Sequence, residues 1–113
     1  MTAVPATILS AIVTIIAVAG SLDSATAPGL RQYLEELIPG RGQVLLDLSR
    51  MSCLSSAGLR LLLVMCRQAE RNAARLTLAN VPADAREVMA ATGFLEFFTV
   101  ADTVAAGVQE LAA

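Results

Sequence analysis

Two adjacent serines, Ser55 and Ser56, stand immediately before an apolar segment with helical periodicity, and they are the residues of this 113-residue chain best placed for chemistry. A serine at a helix start can do two things. Its hydroxyl oxygen can accept a hydrogen bond from a backbone N–H two or three residues on, which caps the helix. It can also be esterified by phosphate, which adds about −1.5 to −2 charges at neutral pH and three strong acceptor oxygens. Capping alone is the commoner role, so the local residue types do not choose between the two. Nucleophilic catalysis is harder to assemble. The chain has no histidine, so neither a Ser/His nor a Cys/His pair can form. Cys53 and Cys66 are not a CxxC pair and fit no metal-ligand spacing. Both read as small buried hydrophobes in a reducing compartment, with a disulfide as the weaker alternative. Asp23 and Asp47 are turn and strand-end hydrogen-bond acceptors before they are catalytic acids. This set of residues supports no enzyme mechanism and calls for no cofactor or metal.

Composition narrows the classes further. Ten acidic residues stand against eight basic ones, for a formal charge of −2. The arginines are scattered and lack interleaved aromatics, so direct nucleic-acid binding is excluded as a reading. The 56% hydrophobic content comes without tryptophan and with few aromatics, which implies an aliphatic, finely packed core. The length suits a single domain over residues 1–113, and no repeat, low-complexity tract or linker interrupts it. The stretch from Ala3 to Gly20 is apolar enough to pass for a membrane span or signal segment. However, Pro5, Thr7, Ser10 and Thr14 interrupt it, and no basic residue flanks it. Its β-branched Ile8, Ile12, Val13, Ile15, Ile16 and Val18 favour extended structure. Two strands joined by a turn near Ser10 are therefore expected, with no membrane insertion.

The elements that must position the serines follow from periodicity. Gly20-Ser21-Leu22-Asp23 reads as a turn, after which Ser24 or Thr26 caps a helix opened by Ala27-Pro28 and stopped by Pro39-Gly40. Gln43 to Leu48 is a short buried strand, and Ser49, Arg50 and Ser52 form a turn after it. A second helix runs from about Ser56 to Asn72, with Leu59, Leu62, Leu63, Cys66 and Ala69 inward and Arg60, Arg67 and Arg71 outward. Then come a strand over Arg75–Ala79, a helix over Ala83–Ala91 ended by Thr92-Gly93, a strand over Phe97–Val100 and a terminal helix capped by Asp102 or Thr103. Strands alternating with helices predict an α/β fold. Its sheet is mixed but largely parallel, with four to five strands and about four helices, and loops at strand ends carry function.

Three segments in order, Gly20-Ser21-Leu22-Asp23, Asp47-Leu48-Ser49 and Leu54-Ser55-Ser56-Ala57-Gly58-Leu59, resemble the GxLD, DLS and (D)SSGL signatures of STAS domains. The likeness continues through Leu76-Thr77-Leu78-Ala79-Asn80-Val81 and Thr92-Gly93-Phe94, so it spans about Ile8 to Leu111. In size the chain is similar to the free-standing anti-sigma factor antagonists of that family. The resemblance implies a cytoplasmic protein that binds an anti-sigma factor and so frees a sigma factor for transcription. It implies as partners a serine kinase of the histidine-kinase-like ATPase fold and a metal-dependent serine phosphatase. Carried over by position, the phosphate acceptor falls on Ser56, and Gly20, Asp23, Ser24, Ser55, Ala57, Gly58 and Arg60 meet the partner. Where the family often has an acidic residue before the acceptor, this chain has Ser55. The cap is kept, a fixed negative charge is lost, and Ser55 becomes the alternative acceptor. A weak homodimer is compatible with this reading. STAS domains also serve as subunits that bind ABC-type transporter ATPases, as unphosphorylated scaffold components of stress-sensing assemblies, or as small-ligand domains. Composition does not separate these.

Overall fold

The computed structural model describes residues 2–8, 11–37 and 43–112. Short apolar runs rich in β-branched residues build a five-stranded sheet in which spatial order follows sequence order. Strand β1 (Thr2–Ile8) runs antiparallel to β2 (Ala11–Leu22), and β2, β3 (Gln43–Leu54), β4 (Arg75–Ala79) and β5 (Thr99–Ala101) run parallel to one another. Pro5 cannot donate to a ladder and sits on the edge strand β1, where that costs least. Residues 3–8 and 11–20 of the apolar stretch are thus spent on sheet. No helix among the described residues is long and apolar enough to cross a membrane. The turn expected near Ser10 and the stop at Pro39-Gly40 lie outside the described residues.

Helices α1 (Ala27–Leu37), α2 (Ser56–Arg71) and α3 (Ala83–Ala91) pack on one face of the sheet. Val44, Leu46 and Leu48 point into that face, together with Ile16, Val18, Leu22, Leu76 and Leu78. The opposite face is covered by α4 (Val104–Ala112), whose Val108 and Leu111 join Val13, Leu45 and Ala79. A strand buried on both faces reads as a continuous apolar run, which is why Val44-Leu45-Leu46 lacks alternation.

Several boundaries differ from the sequence expectation, and those around β2 and β3 share one reason. β2 and β3 both continue past their apolar runs, pairing Ala19 with Arg50, Gly20 with Met51 and Leu22 with Leu54. Ser49, Arg50 and Ser52 are therefore strand residues and not a turn, and Gly20–Leu22 is strand as well. Arg50 is held extended by pairing with Ala19, while Ser49 and Ser52 fall at register shifts between paired neighbours, so the strand carries through them. Gly20 sits in the left-handed region at φ +82 beside a register shift, the backbone state that glycine supplies at a bulge. The chain from Phe94 to Phe97 is a 3₁₀ turn, and the last strand starts only at Thr99. Cys66 is buried as expected, but Cys53 is exposed on the polar extension of β3. Burial, with Glu70 nearby, pushes the Cys66 thiol up to about 12. Thiol titration of the native chain is expected to label Cys53 rapidly, and Cys66 only after unfolding.

The end of α2 forms a closed cap. The Ala74 N–H donates to the Ala69 carbonyl at 2.8 Å and the Ala73 N–H to the Glu70 carbonyl at 3.2 Å, the paired bonds of a Schellman motif. Ala73 occupies the left-handed position at φ 57, which usually belongs to glycine. Ala73→Gly is expected to stabilise the fold by about 0.5–1 kcal/mol, read as a higher urea midpoint with an unchanged m-value.

Candidate partner-binding site

The serine loop is fastened to the end of β2 through one backbone carbonyl, that of Leu22. It accepts from the Ser55 N–H at 2.9 Å and from the Ser55 hydroxyl at 3.3 Å. The same hydroxyl oxygen accepts from the Gly58 N–H at 3.2 Å, and the Ser55 carbonyl accepts from the Leu59 N–H at 2.9 Å. Ser55 is therefore the N-cap of α2 and a tether to the sheet at once. Gly58 is buried directly over that point, and a β-carbon there would collide with the Leu22 carbonyl. Ser56, the first residue of the helix, is exposed and its hydroxyl takes no part in the cap. The two adjacent serines are thus chemically distinct, Ser55 with its donor and acceptor engaged and Ser56 open to solvent.

Asp23 builds the neighbouring turn. Its Oδ1 accepts from the Ala25 N–H at 2.9 Å and the Thr26 N–H at 3.1 Å, both in the turn that leads into α1, and among the described residues neither the Ser24 nor the Thr26 hydroxyl accepts from an N–H group of that helix. Thr26 braces the turn instead: its hydroxyl donates to the Ser21 carbonyl at 2.8 Å and accepts from the Asp23 N–H at 3.0 Å. Ser24 is left exposed. With Ala57 and Arg60 it lines a groove of about 340 Å³ between α1 and α2, floored by Ala27, Pro28, Leu61 and Val64. A second hollow of about 290 Å³ on the other flank of α2 is lined by Ser56, Leu59, Arg60, Leu63 and Phe94. Arg60 stands between the two. Of the residues expected to meet a partner, Asp23, Ser24, Ser55, Ser56, Ala57, Gly58 and Arg60 come together around the starts of α1 and α2. Gly20 is exposed but lies back along β2 and lines neither hollow. Sequence reasoning did not single out Pro28, Val64 or Phe94 as lining residues. Val64 was detectable, since it lies two turns from Ala57 and one turn from Arg60 on the same helix flank.

Asp47 is an acceptor with a structural role. It lies where β4 stops pairing with β3, opposite Ala79, and its Oδ1 accepts from the Ser49 N–H at 3.0 Å and the Asn80 side-chain amide at 3.1 Å. Partial burial alone would raise its pKa, but those hydrogen bonds, helped by Arg50, hold it below the usual 3.8. A lowered folded-state pKa stabilises the fold above the unfolded value, and the contribution is lost as pH falls through the folded one. The stability advantage of wild type over Asp47→Asn is therefore expected to hold at neutral pH, to shrink as pH falls below 3.8, and to be lost once pH passes below the lower folded-state value. Urea midpoints measured across the acid range check this. Among the described residues no group of His, Cys, Asp and Glu side chains could hold a metal ion.

The STAS domain family matches residues 4–107 of the sequence. The chain belongs to the STAS domain family. Among relatives of this STAS domain is BtrV of Bordetella bronchiseptica, assigned as an anti-sigma factor antagonist. It is 36% identical over 85 residues, which are 74% of this chain and 73% of that one. The crystal structure of an anti-sigma factor antagonist from Mycobacterium paratuberculosis superposes with a TM-score of 0.79 at 21% identity, covering 99% of this chain and 94% of that one. Murine Slc26a9, an anion transporter, contains the same fold: TM-score 0.76, 18% identity, 88% of this chain and 17% of that one. The STAS fold is thus shared by proteins of different function, and the site must argue for one of them.

Proposed function

We propose that this STAS domain is a cytoplasmic anti-sigma factor antagonist whose docking surface surrounds Ser56 and whose partner is an anti-sigma factor with serine-kinase activity. The observation that carries the reading is the division of labour between the serines. Ser55 already holds the helix cap and the tether, so Ser56 can be modified or covered without cost to the fold. The likeness to BtrV supports the antagonist class over the other functions found on this fold.

The mechanism follows from charge. An unmodified Ser56 is small and neutral, so a partner surface closes over it at little desolvation cost. A phosphate on Ser56 sits at the N-terminus of α2, where backbone N–H groups and the helix dipole favour an anion in the free protein. At an interface with no cationic partner the same anion is costly to bury. The complex dissociates while the fold survives, and a metal-dependent phosphatase returns the domain to its binding form. The test is incubation with purified candidate kinases and ATP, followed by mass spectrometry. One phosphate on Ser56 is the expected result. Transfer to Ser55 would overturn the assignment of the acceptor, and absence of transfer from every candidate would sink the switch.

A further inference from the structure

Beyond the serine loop, the outward stripe of α2 is unlike the rest of the surface. Ser56, Arg60, Arg67 and Arg71 fall within one narrow arc of the helix, and all four are exposed. The stripe runs the length of the helix, roughly 22 Å at about 1.5 Å per residue. The helix carries these three arginines against the single acid Glu70, whereas the whole chain has more acids than bases. None of the three makes an ion pair among the described residues, where the pairs are Arg31–Glu35 and Arg86–Asp102. Arg67 is held 6.0 Å over the ring of Phe97. Phe97 is 54% exposed, and its ring lies 6.3 Å from that of Phe94 beside the same helix. Arginine and exposed aromatics are the residues enriched at the centres of protein interfaces. A guanidinium stacked on a ring has also lost part of its freedom before any partner arrives.

We propose that this ridge, from Ser56 to Arg71 with the Arg67–Phe97 pair as its anchor, docks an acidic surface of the same protein partner that covers Ser56. The proposal rests on the anti-sigma reading and extends it by naming the partner's chemistry. Charge complementarity selects the occupant: a net-acidic domain presenting one cationic stripe steers an anionic face onto it and repels most of its own surface. The same chemistry sharpens the switch. A phosphate on Ser56 opposes the acidic partner directly. It also lies one helical turn from Arg60, at the i,i+4 spacing that favours an ion pair, so Arg60 is drawn away from the partner.

The experiment measures affinity for the purified anti-sigma factor kinases encoded in the genome that carries this chain, at low and at moderate salt. Wild-type binding is expected to weaken as salt rises. Arg67→Glu together with Arg71→Glu is expected to weaken it at least tenfold at low salt, and Arg67→Gln to flatten the salt dependence. Phe97→Ala is expected to weaken it at both salts. These side chains are exposed, and thermal melts of each variant confirm folding. If a kinase binds wild type and phosphorylates Ser56 but binds the double variant equally, the ridge is overturned and the anti-sigma reading stands. If no kinase of the set binds wild type, both fall. A concentration-dependent dimer abolished by Arg67→Glu would give the ridge to a second copy of the chain and overturn the proposal.

Discussion

Ser56→Asp is expected to weaken partner binding by about ten- to a hundredfold, or about 1.4–2.7 kcal/mol, while leaving the melting temperature unchanged or slightly higher. The two readouts separate because they draw on different surroundings. In the free domain the new carboxylate stands on the first turn of α2, where the helix dipole contributes about 0.3–1 kcal/mol in its favour. In the complex the same charge is desolvated and faces a surface built to close over a neutral hydroxyl. Ser56→Ala is the companion: it keeps binding and removes release by the kinase. Isothermal titration of the two variants against the kinase, beside their thermal melts, checks the pair. Equal affinity for both would reduce the loop to a helix start. Ser55→Ala behaves in the opposite sense. It removes the cap and the side-chain bond to the Leu22 carbonyl while the backbone N–H bond stays, so it costs stability, about 1 kcal/mol for a capping serine.

Gly58→Ala is expected to be the most damaging small substitution in the loop. The added methyl meets the backbone carbonyl of Leu22, with the Leu22 side chain beside it. A side chain could turn aside, but a carbonyl that accepts two bonds from Ser55 cannot move without taking the end of β2 with it. Overpacking of this kind costs about 1–3 kcal/mol, which for a domain of this size lowers the melting temperature by roughly 4–12 °C. Because the strain falls on the tether, partner binding is expected to drop further than stability alone explains. Binding assays run well below the melting transition separate the two. An unchanged urea midpoint would show that the close approach is not essential to the loop.

Much of this architecture was legible in the residue order. The parallel core strands, the four helices and the place of Ser55 at the start of α2 follow from apolar periodicity and capping chemistry, which are local. The misread segments are those in which a distant partner decides the outcome. Ser49, Arg50 and Ser52 have turn-forming side chains, yet they are extended because β2 continues alongside them. Cys53 reads as an interior residue by type, but it lies on that same extension and is exposed. Asp23 reads in sequence as a turn residue, and its carboxylate does hold the Ala25 and Thr26 N–H groups of the turn that leads into α1; the part the sequence does not show is that Thr26 braces this turn through its hydroxyl and bonds no N–H group of the helix with it. At the site, residue types alone narrow the switch to two serines, and only the family resemblance ranks Ser56 ahead of Ser55. Both are small hydroxyls at a helix start, and in the fold the carbonyl of Leu22, thirty-three residues away in sequence, distinguishes them.

That carbonyl also bears on timing. The loop is held to the sheet at Leu22 by two hydrogen bonds from Ser55, and the proposed switch asks for no rearrangement of it, because a charge placed on exposed Ser56 acts where it stands. Its state is written in a covalent bond and lasts until a phosphatase removes it. Such a device stores the history of its kinase for the lifetime of the ester, and its response time is set by the concentrations of two enzymes and not by the flexibility of the domain.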